Sequence, residues 1–348
     1  MKPLICITMG DPSGIGAEIT VKMLNKPQIY KKCIPVVIGD QAAIDDALRF
    51  TGISMEIHRI KEPGQAEGRP GVMDLIDLGF LTPGSWEYKK VCKISGEASF
   101  QYVVKGIQLT LEGKAAAIVT GPINKEAINL AGHHFAGHTE ILAHYTNTKE
   151  YGMLLTSKEL KVIHVTTHVS MRDACDVIRN HPEKVESAIR LAQEGMFLLG
   201  NKTPRIAVAG LNAHCSEDGL FGDEEARSII PAIEKCRREG IQVEGPVPPD
   251  TVFVKAVGGQ YDIVVAMYHD QGHIPLKLNG FRMNPETRVY SAMSGVNATI
   301  GLPIIRTSVD HGTAFGKAGE GRANEESLTD AVEMALLMAE NREKQKKR

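Results

Sequence analysis

Three histidines stand a few residues beyond three short apolar runs. His168 follows Lys161–Thr167 (KVIHVTT), His214 follows Arg205–Asn212 (RIAVAGLN) and His269 follows Tyr261–Tyr268 (YDIVVAMY). Runs this short, rich in Val, Ile or Ala and followed by polar residues, read as parallel strands buried on both faces. In open α/β sheets the ligand crevice lies outside the carboxyl ends of the strands. Three imidazoles delivered to that edge suit one divalent cation with an open coordination position. The plain alternative is three unrelated loop histidines, each satisfied by backbone partners. Histidine ligation does not choose among Zn, Co, Mn and Mg.

Five further segments carry groups that could do chemistry. Gly10–Glu18 (GDPSGIGAE) follows a strand and opens a helix, a place where an anion is attracted. It is neither a dinucleotide fingerprint nor a P-loop, and Asp11 adds a carboxylate at the crevice edge. Thr120–Lys125 (TGPINK) offers Asn124 and Lys125 to a ligand, or Asn124 to a helix cap. Ala136–Glu140 (AGHTE) offers an imidazole, a hydroxyl and backbone N–H groups to an anion such as phosphate. His269–Lys277 (HDQGHIPLK) is too polar for its apolar surroundings to be filler. There Asp270 could orient His269, while His273 and Lys277 extend toward an anionic substrate. In Val296–Asn324, Arg306 ends a Pro-Ile-Ile run that reads as a strand. A buried Arg there holds a carboxylate or phosphate in its fork, unless a carboxylate of the protein itself takes it. Cys215, beside His214, is either a thiol ligand or an ordinary loop cysteine.

The elements that must position these groups alternate along the chain. Leu4–Met9, Ile34–Gly39 and Ala115–Gly121 read as strands; Gly16–Asn25, Glu97–Glu112, Pro182–Leu199 and Glu224–Glu239 read as helices. Such alternation predicts α/β architecture, two α/β/α domains with mostly parallel sheets. A length of 348 residues exceeds what one core holds, about 250–300 residues. The expected division is 1–130 plus 305–348, the cofactor side, and 131–304, carrying metal, substrate and dimer contacts. The C-terminal helix (Ala323–Arg342) would return to the first domain. Glu62–Gly84 reads as an irregular Gly- and Pro-rich excursion, and Arg282–Ser294 as a hairpin or lid.

Composition excludes some classes of function. A net charge of −2 gives no field toward nucleic acid or membrane, and the basic end REKQKKR reads as a solvated helix terminus. The cysteines at 6, 33, 92, 175, 215 and 236 form no CxxC pair, which fits a reduced protein. The apolar run in MKPLICITMGDP is too short for a signal peptide, and no run reaches the roughly 18 residues of a membrane span. The expectation is a cytoplasmic protein.

The ordered set MGDPSGIGAE, TGPINK, AGHTE, TTHVSMRDA, GLNAHCSEDG, AMYHDQGHIPLK and GLPIIRTSVDHGTAF resembles the 4-hydroxythreonine-4-phosphate dehydrogenase (PdxA) family, from Thr8 to Asn324. His311–Asn324 (HGTAFGKAGEGRAN) is also similar to the adenine-binding loop of isocitrate and isopropylmalate dehydrogenases. The resemblance implies an isocitrate/isopropylmalate dehydrogenase-like fold and a homodimer, with the active site in the interdomain cleft at the dimer interface. It implies a divalent metal on His168, His214 and His269, the third supplied by the partner subunit. It implies substrate binding by His138, Thr139, Lys277, Asn297 and Arg306. NAD or NADP would be bound by His311, Gly312, Thr313, Ala314 and Asn324. Two departures, the 282–294 insertion and His273 in HDQGHIPLK, look like the branch acting on 4-phospho-D-threonate or 4-phospho-D-erythronate.

The reaction implied is oxidation of a four-carbon 3-hydroxy acid 4-phosphate, then loss of CO2 to give dihydroxyacetone phosphate. Asp270, His273 and Lys277 are the candidate proton donors. The near alternative is the 4-phosphooxy-L-threonine dehydrogenase of pyridoxal phosphate biosynthesis. Readings from other classes are a metal-dependent hydrolase, which three His and an Asp would also serve, and a non-catalytic ligand sensor.

Overall fold

The computed structural model describes residues 2–280 and 295–346, so the expected hairpin or lid at Arg282–Ser294 lies outside the described residues. Packing divides the chain into two units, Met1–Lys149 with Leu302–Glu343, and Glu150–Gly301 with the chain end from Lys344.

The strands of the first unit are β1 (Leu4–Thr8), β2 (Ile34–Gly39), β3 (Glu56–Arg59), β4 (Val72–Asp77), β5 (Ala117–Thr120) and β12 (Arg306–Val309). They lie in the order β3-β4-β2-β1-β5-β12, all parallel. Its helices are α1 (Gly16–Leu24), α2 (Pro27–Lys32), α3 (Gln41–Thr51), α4 (Lys93–Leu111), α5 (Lys125–Leu130), α6 (His138–Tyr145) and most of α12 (Glu326–Lys346). Buried β-branched residues on β1, β2 and β5 explain the strand choice. Ile5, Ile7, Val36, Val37, Ile38, Ile118 and Val119 are all solvent-free, as both faces of a parallel sheet require.

The second unit holds β6 (Gly152–Thr156), β7 (Lys161–His164), β8 (Ile206–Ala209), β9 (Val243–Val247), β10 (Ile263–Ala266) and β11 (Val296–Ile300). Their order is β11-β6-β7-β10-β8-β9. β6 runs antiparallel to both neighbours, and β7, β10, β8 and β9 are mutually parallel. The helices are α7 (Met171–Asn180), α8 (Pro182–Leu198), α9 (Ile230–Arg238), α10 (Val252–Val257) and α11 (His269–Gly280). One core cluster joins Leu155, Val162, Ala207, Val264, Ala266 and Leu276 beneath Val252 and Phe253.

Three expectations change. Residues 131–149 belong to the first unit, because Ile141 and Leu142 of α6 pack on Phe100, Val103 and Ile107 of α4 and on Ile118. The Glu62–Gly84 excursion contains β4, whose Asp74 carboxylate accepts the Glu67 and Gly68 amides and contacts His58 Nδ1 at 2.8 Å. Flanking glycines hid that strand. Arg306 begins its strand rather than ending it, since the ladder to β5 opens at Arg306 opposite Ile118. Among the described residues no helix is long and apolar enough to cross a membrane.

The α4–α5 crossing is a tight constraint on the first unit. A Cβ on Gly96 would stand 2.0 Å from the Ala127 carbonyl oxygen, with backbone on both sides and no flexible side chain to yield. Gly96→Ala is expected to lower stability by about 3 kcal/mol, the upper range for overpacking, read as a reduced urea midpoint. A midpoint equal to the parent's would mean the helices separate freely.

Candidate functional site

In the second unit, β7, β10 and β8 are adjacent parallel strands. The segments that carry His168, His269 and His214 therefore leave the same carboxyl edge side by side. His269 opens α11, and its Nδ1 meets Asp270 Oδ1 at 2.6 Å. That contact fixes the ring and presents Nε2, the arrangement common behind metal-binding histidines. His168, exposed, lies with its ring centroid 6.4 Å from that of His269.

His214 sits on a different kind of backbone. His214, Cys215, Ser216, Glu217 and Asp218 are all left-handed, with φ from 42 to 69°. Non-glycine residues held there carry strain of order 1–3 kcal/mol each. Buried Glu225 holds the turn. Its carboxylate accepts the Leu211 and Asn212 amides, both at 2.8 Å, the Asn212 side chain at 2.9 Å, and the Ser216 hydroxyl. Burial pushes the Glu225 carboxyl up, and these donors bring it below its ordinary value. Burial, then the charge of Glu225, push the Cys215 thiol up to about 11.

Residue His164, at the end of β7, went unnoticed in the sequence reading because its run reads as apolar. It is buried, its ring lies 4.8 Å from that of His273, and His273 stacks on His269 at 3.7 Å. Burial, then the neighbouring imidazoles, lower His164 to about 3; burial likewise lowers His273 to about 4. The Nδ1 of His273 lies 2.9 Å from the His269 carbonyl. Asp270, His273 and Lys277 share one face of α11, with Asp270 and Lys277 exposed and His273 buried. Asn297 on β11 has a buried side-chain oxygen without a hydrogen-bond partner.

The donor chemistry suits a borderline divalent cation: imidazoles, one of them oriented by a carboxylate. Among the described residues of one chain, however, no group of three His, Cys, Asp or Glu side chains converges to hold one.

The first unit gathers a polar cluster of its own. Arg306 is 1 % exposed, and its Nη2 and Nε donate to Thr120 Oγ1 at 2.8 and 3.3 Å. Burial lowers the guanidinium to about 9, while Glu140 in the first turn of α6 opposes the loss of charge. A carboxylate of the protein thus stands beside Arg306, as the plain reading of that residue required. His138 and Thr139 open α6. His138 Nε2 is buried without a hydrogen-bond partner, and burial, then the charge of Arg306, hold the ring well below its ordinary pKa. The uncharged imidazole and the hydroxyl stand at a helix N-terminus, with the buried guanidinium close enough to act on that imidazole; these are groups that suit an anion.

Two sequence candidates turn out to be structural. Asn124 Oδ1 accepts the Ala127 amide at 2.9 Å, so it caps α5. The GDPSGIG turn is filled by the protein itself: Ile15 N donates to Thr313 O at 3.1 Å, and a Cβ on Gly14 would stand 2.8 Å from that oxygen. Its packing partner is the HGTA loop. There His311 Nδ1 lies 3.0 Å from Gly312 O, Ala314 is left-handed at φ 46°, and a Cβ on Gly312 would meet nothing within 4 Å. That open space suits a flat ring laid against the backbone. Asn324 Oδ1 accepts the Glu326 amide at 2.7 Å at the start of α12.

Comparison with known proteins adds an independent line. The profile of the pyridoxal phosphate biosynthetic protein PdxA matches residues 31–335. A D-threonate 4-phosphate dehydrogenase from Cupriavidus necator is 45% identical over 341 residues, covering 98% of each chain. Its namesake from Salmonella typhimurium is 45% identical, covering 96% of this chain and 98% of the relative. The crystal structure of a 4-hydroxythreonine-4-phosphate dehydrogenase from Klebsiella pneumoniae superposes with a TM-score of 0.84 at 43% identity, over 97% of this chain and 100% of that one.

Asp11 yields a pH prediction. It is fully buried; Oδ1 accepts the Ser13 amide at 2.8 Å, and Oδ2 has no partner. Burial raises its carboxyl from 3.8 to about 6. The folded chain therefore holds a proton that the unfolded chain has released between those values, and stability falls as pH rises through that window. The loss is complete above the folded pKa and amounts to at most about 3 kcal/mol. Asp11→Asn should remove this slope, so that the two proteins differ more at pH 7.5 than at pH 4.5 in urea titrations. Parallel pH profiles would show that Asp11 is not the titrating group.

Proposed function

Because the chain belongs to the PdxA family, we propose that it is an NAD(P)-dependent dehydrogenase that oxidises and decarboxylates 4-phospho-D-threonate or 4-phospho-D-erythronate. The observation that carries this reading is the end-to-end likeness to D-threonate 4-phosphate dehydrogenases. The cluster of Arg306, His138 and Thr139 supports it, since the substrate is an anion at both ends.

In the first unit, Arg306, His138 and Thr139 bind one anionic end of the substrate. Arg306 keeps its charge despite burial because Glu140 and Thr120 stand beside it. In the second unit, Lys277 supplies a second cation and Asn297 an unpartnered amide oxygen for a substrate hydroxyl. Fixing both ends sets the reacting carbon in one orientation, an effect that removes several kcal/mol from a barrier.

His311, Gly312, Thr313, Ala314 and Asn324 would hold a nicotinamide dinucleotide, NAD or NADP, which would accept the hydride. His168, His214 and His269, the third from a second copy of the chain, would hold a divalent cation (Zn, Co, Mn or Mg), which would supply Lewis-acid chemistry at the C3 oxygen. Support for that assignment is the adjacency of the three strands and the Asp270–His269 contact. A homodimer is part of the proposal for this reason.

Oxidation at C3 makes a β-keto acid. Its carboxylate leaves as CO2, and C2 takes a proton to give dihydroxyacetone phosphate. Asp270, His273 and Lys277 on α11 are the candidate donors, and two observations favour Lys277. The His273 ring is buried in the imidazole stack, and Asp270 is engaged with His269. The 4-phosphooxy-L-threonine reading keeps the same residues and changes only the substituent at C2; the Klebsiella pneumoniae relative carries that name.

A panel of 4-phospho-D-threonate, 4-phospho-D-erythronate and 4-phospho-L-threonine, assayed with NAD and with NADP, tests the reading. Turnover of a D-acid phosphate is expected, with dihydroxyacetone phosphate formed in step with reduced cofactor, lost on chelation and restored by a divalent metal. Reduced cofactor from the L-amino substrate alone would transfer the chain to the other branch. Formation of product without reduced cofactor would replace the reading with hydrolysis.

Arg306→Met is expected to raise substrate KM at least about tenfold, near 1.4 kcal/mol. A KM within about twofold of the parent would assign Arg306 to Glu140 alone.

A further inference from the structure

The loop from His311 to Asn324 has little regular structure to hold it. It contains one short 3-10 turn, Phe315–Lys317, and passes through Gly319 and Gly321 at φ 75 and 70°. Contacts from α1 hold it near both ends.

Glu18 and Lys22 lie one turn apart on α1, with their charged groups 2.8 Å apart and their side chains 1 % and 19 % exposed. Lys22 Nζ also donates to the carbonyl oxygens of Gly321 at 2.8 Å and Ala323 at 2.7 Å. Glu18 Oε1 accepts the Ala323 amide at 2.6 Å. The pair therefore grips both polar groups of Ala323, the residue immediately before Asn324. At the other end of the loop, Ile15 N takes the Thr313 carbonyl at 3.1 Å, so the segment opening α1 docks both ends. The remaining oxygen of Glu18 is buried without a hydrogen-bond partner.

We propose that Glu18 and Lys22 are positioning residues that set the cofactor-binding loop, so that His311–Ala314 and Asn324 stand where a nicotinamide dinucleotide needs them. The inference rests on the function proposed above. An i, i+4 ion pair on an exposed helix is worth only a few tenths of a kcal/mol. Burying one costs more, unless the charges gain further hydrogen bonds. Here those bonds go to loop backbone, so the pair fixes the path of the chain whatever side chains the loop carries. Neither residue touches the reacting carbon in this scheme. The effect of losing the clasp therefore falls on cofactor affinity and not on the chemical step.

The test uses the full chain. Lys22→Met is expected to weaken NADH binding, followed by its fluorescence, about tenfold. At saturating cofactor kcat should stay within about twofold, as should KM for the phosphorylated acid. Hydrogen exchange should show the Ala323 amide losing protection, with β1 and β5 unchanged. Lys22→Arg, which keeps the charge and the donors, should restore binding to near the parent value. If Lys22→Met does not fold, Glu18→Gln is read in the same assays. NADH affinity equal to the parent's in the folded variant overturns the proposal, as does a fall in kcat with affinity unchanged. A parent protein that binds neither dinucleotide overturns the proposed function instead, and the cofactor role of the clasp with it; the exchange measurement, made without cofactor, tells the two failures apart.

Discussion

A strand buried on both faces can offer polar groups only where it ends. That constraint organises each unit of this protein. Ile5, Ile7, Val36, Val37, Ile118, Val119, Ile206, Val208, Ile263 and Val265 are closed off from solvent, and none can carry chemistry. The polar residues cluster just beyond: Asp11 after β1, Thr120 at the end of β5, His164 at the end of β7, His269 after β10. Because neighbouring strands are parallel, their ends share one edge, and groups distant in sequence become neighbours without any long-range design of the loops. Arg306 is the exception. It begins a strand, and stays charged in the interior because Thr120 and Glu140 are brought to it.

Buried polar groups then divide into two kinds. Some are fully matched and hold backbone in place. Asp74 gathers the Glu67 and Gly68 amides, and Glu225 gathers those of Leu211 and Asn212, so each anchors an irregular segment that a side chain of another type would release. Others are incompletely matched: Asp11 Oδ2, Glu18 Oε2, His138 Nε2 and Asn297 Oδ1 are buried without partners. An unmatched buried polar atom costs about 1–3 kcal/mol. Such atoms persist where something other than folding stability selects them, and His138 and Asn297 are two of the residues assigned to substrate.

Much of this was legible in the sequence, for a physical reason. Apolar runs of four to eight residues ending in loops predicted β1, β2, β5, β7, β8 and β10, and a Pro at the first turn located the start of α8 within a residue. The residues that defeated the reading have side chains whose role depends on a distant partner. Glu225 is one acid among several in its segment, and nothing local marks it as the support for a turn ten residues earlier. His164 reads as part of an apolar run. Asn124 is equally good as a ligand donor or a cap, and only the Ala127 amide decides. Residues 131–149 moved to the first unit because Ile141 and Leu142 have the same apolar character in either unit; contact with Phe100, not pattern, fixes where they belong.

The imidazole group shows how the second unit holds its histidines. His164, His273 and His269 form a stack in which His164 and His273 are held uncharged by burial. Stacking on His273 holds His269 from one side, and Asp270 fixes it from the other. A side chain held this firmly has already lost its rotamer freedom, so a ligand that meets its outward nitrogen gains affinity at little entropic expense. His214 is prepared by a different means, a strained left-handed turn clamped by Glu225. Two unrelated devices thus hold two histidines in fixed positions, one by stacking and a carboxylate, the other by a clamped turn. Among the described residues no three metal-binding side chains converge, so what the two devices share is preorganisation: each imidazole has lost its freedom before any ligand arrives.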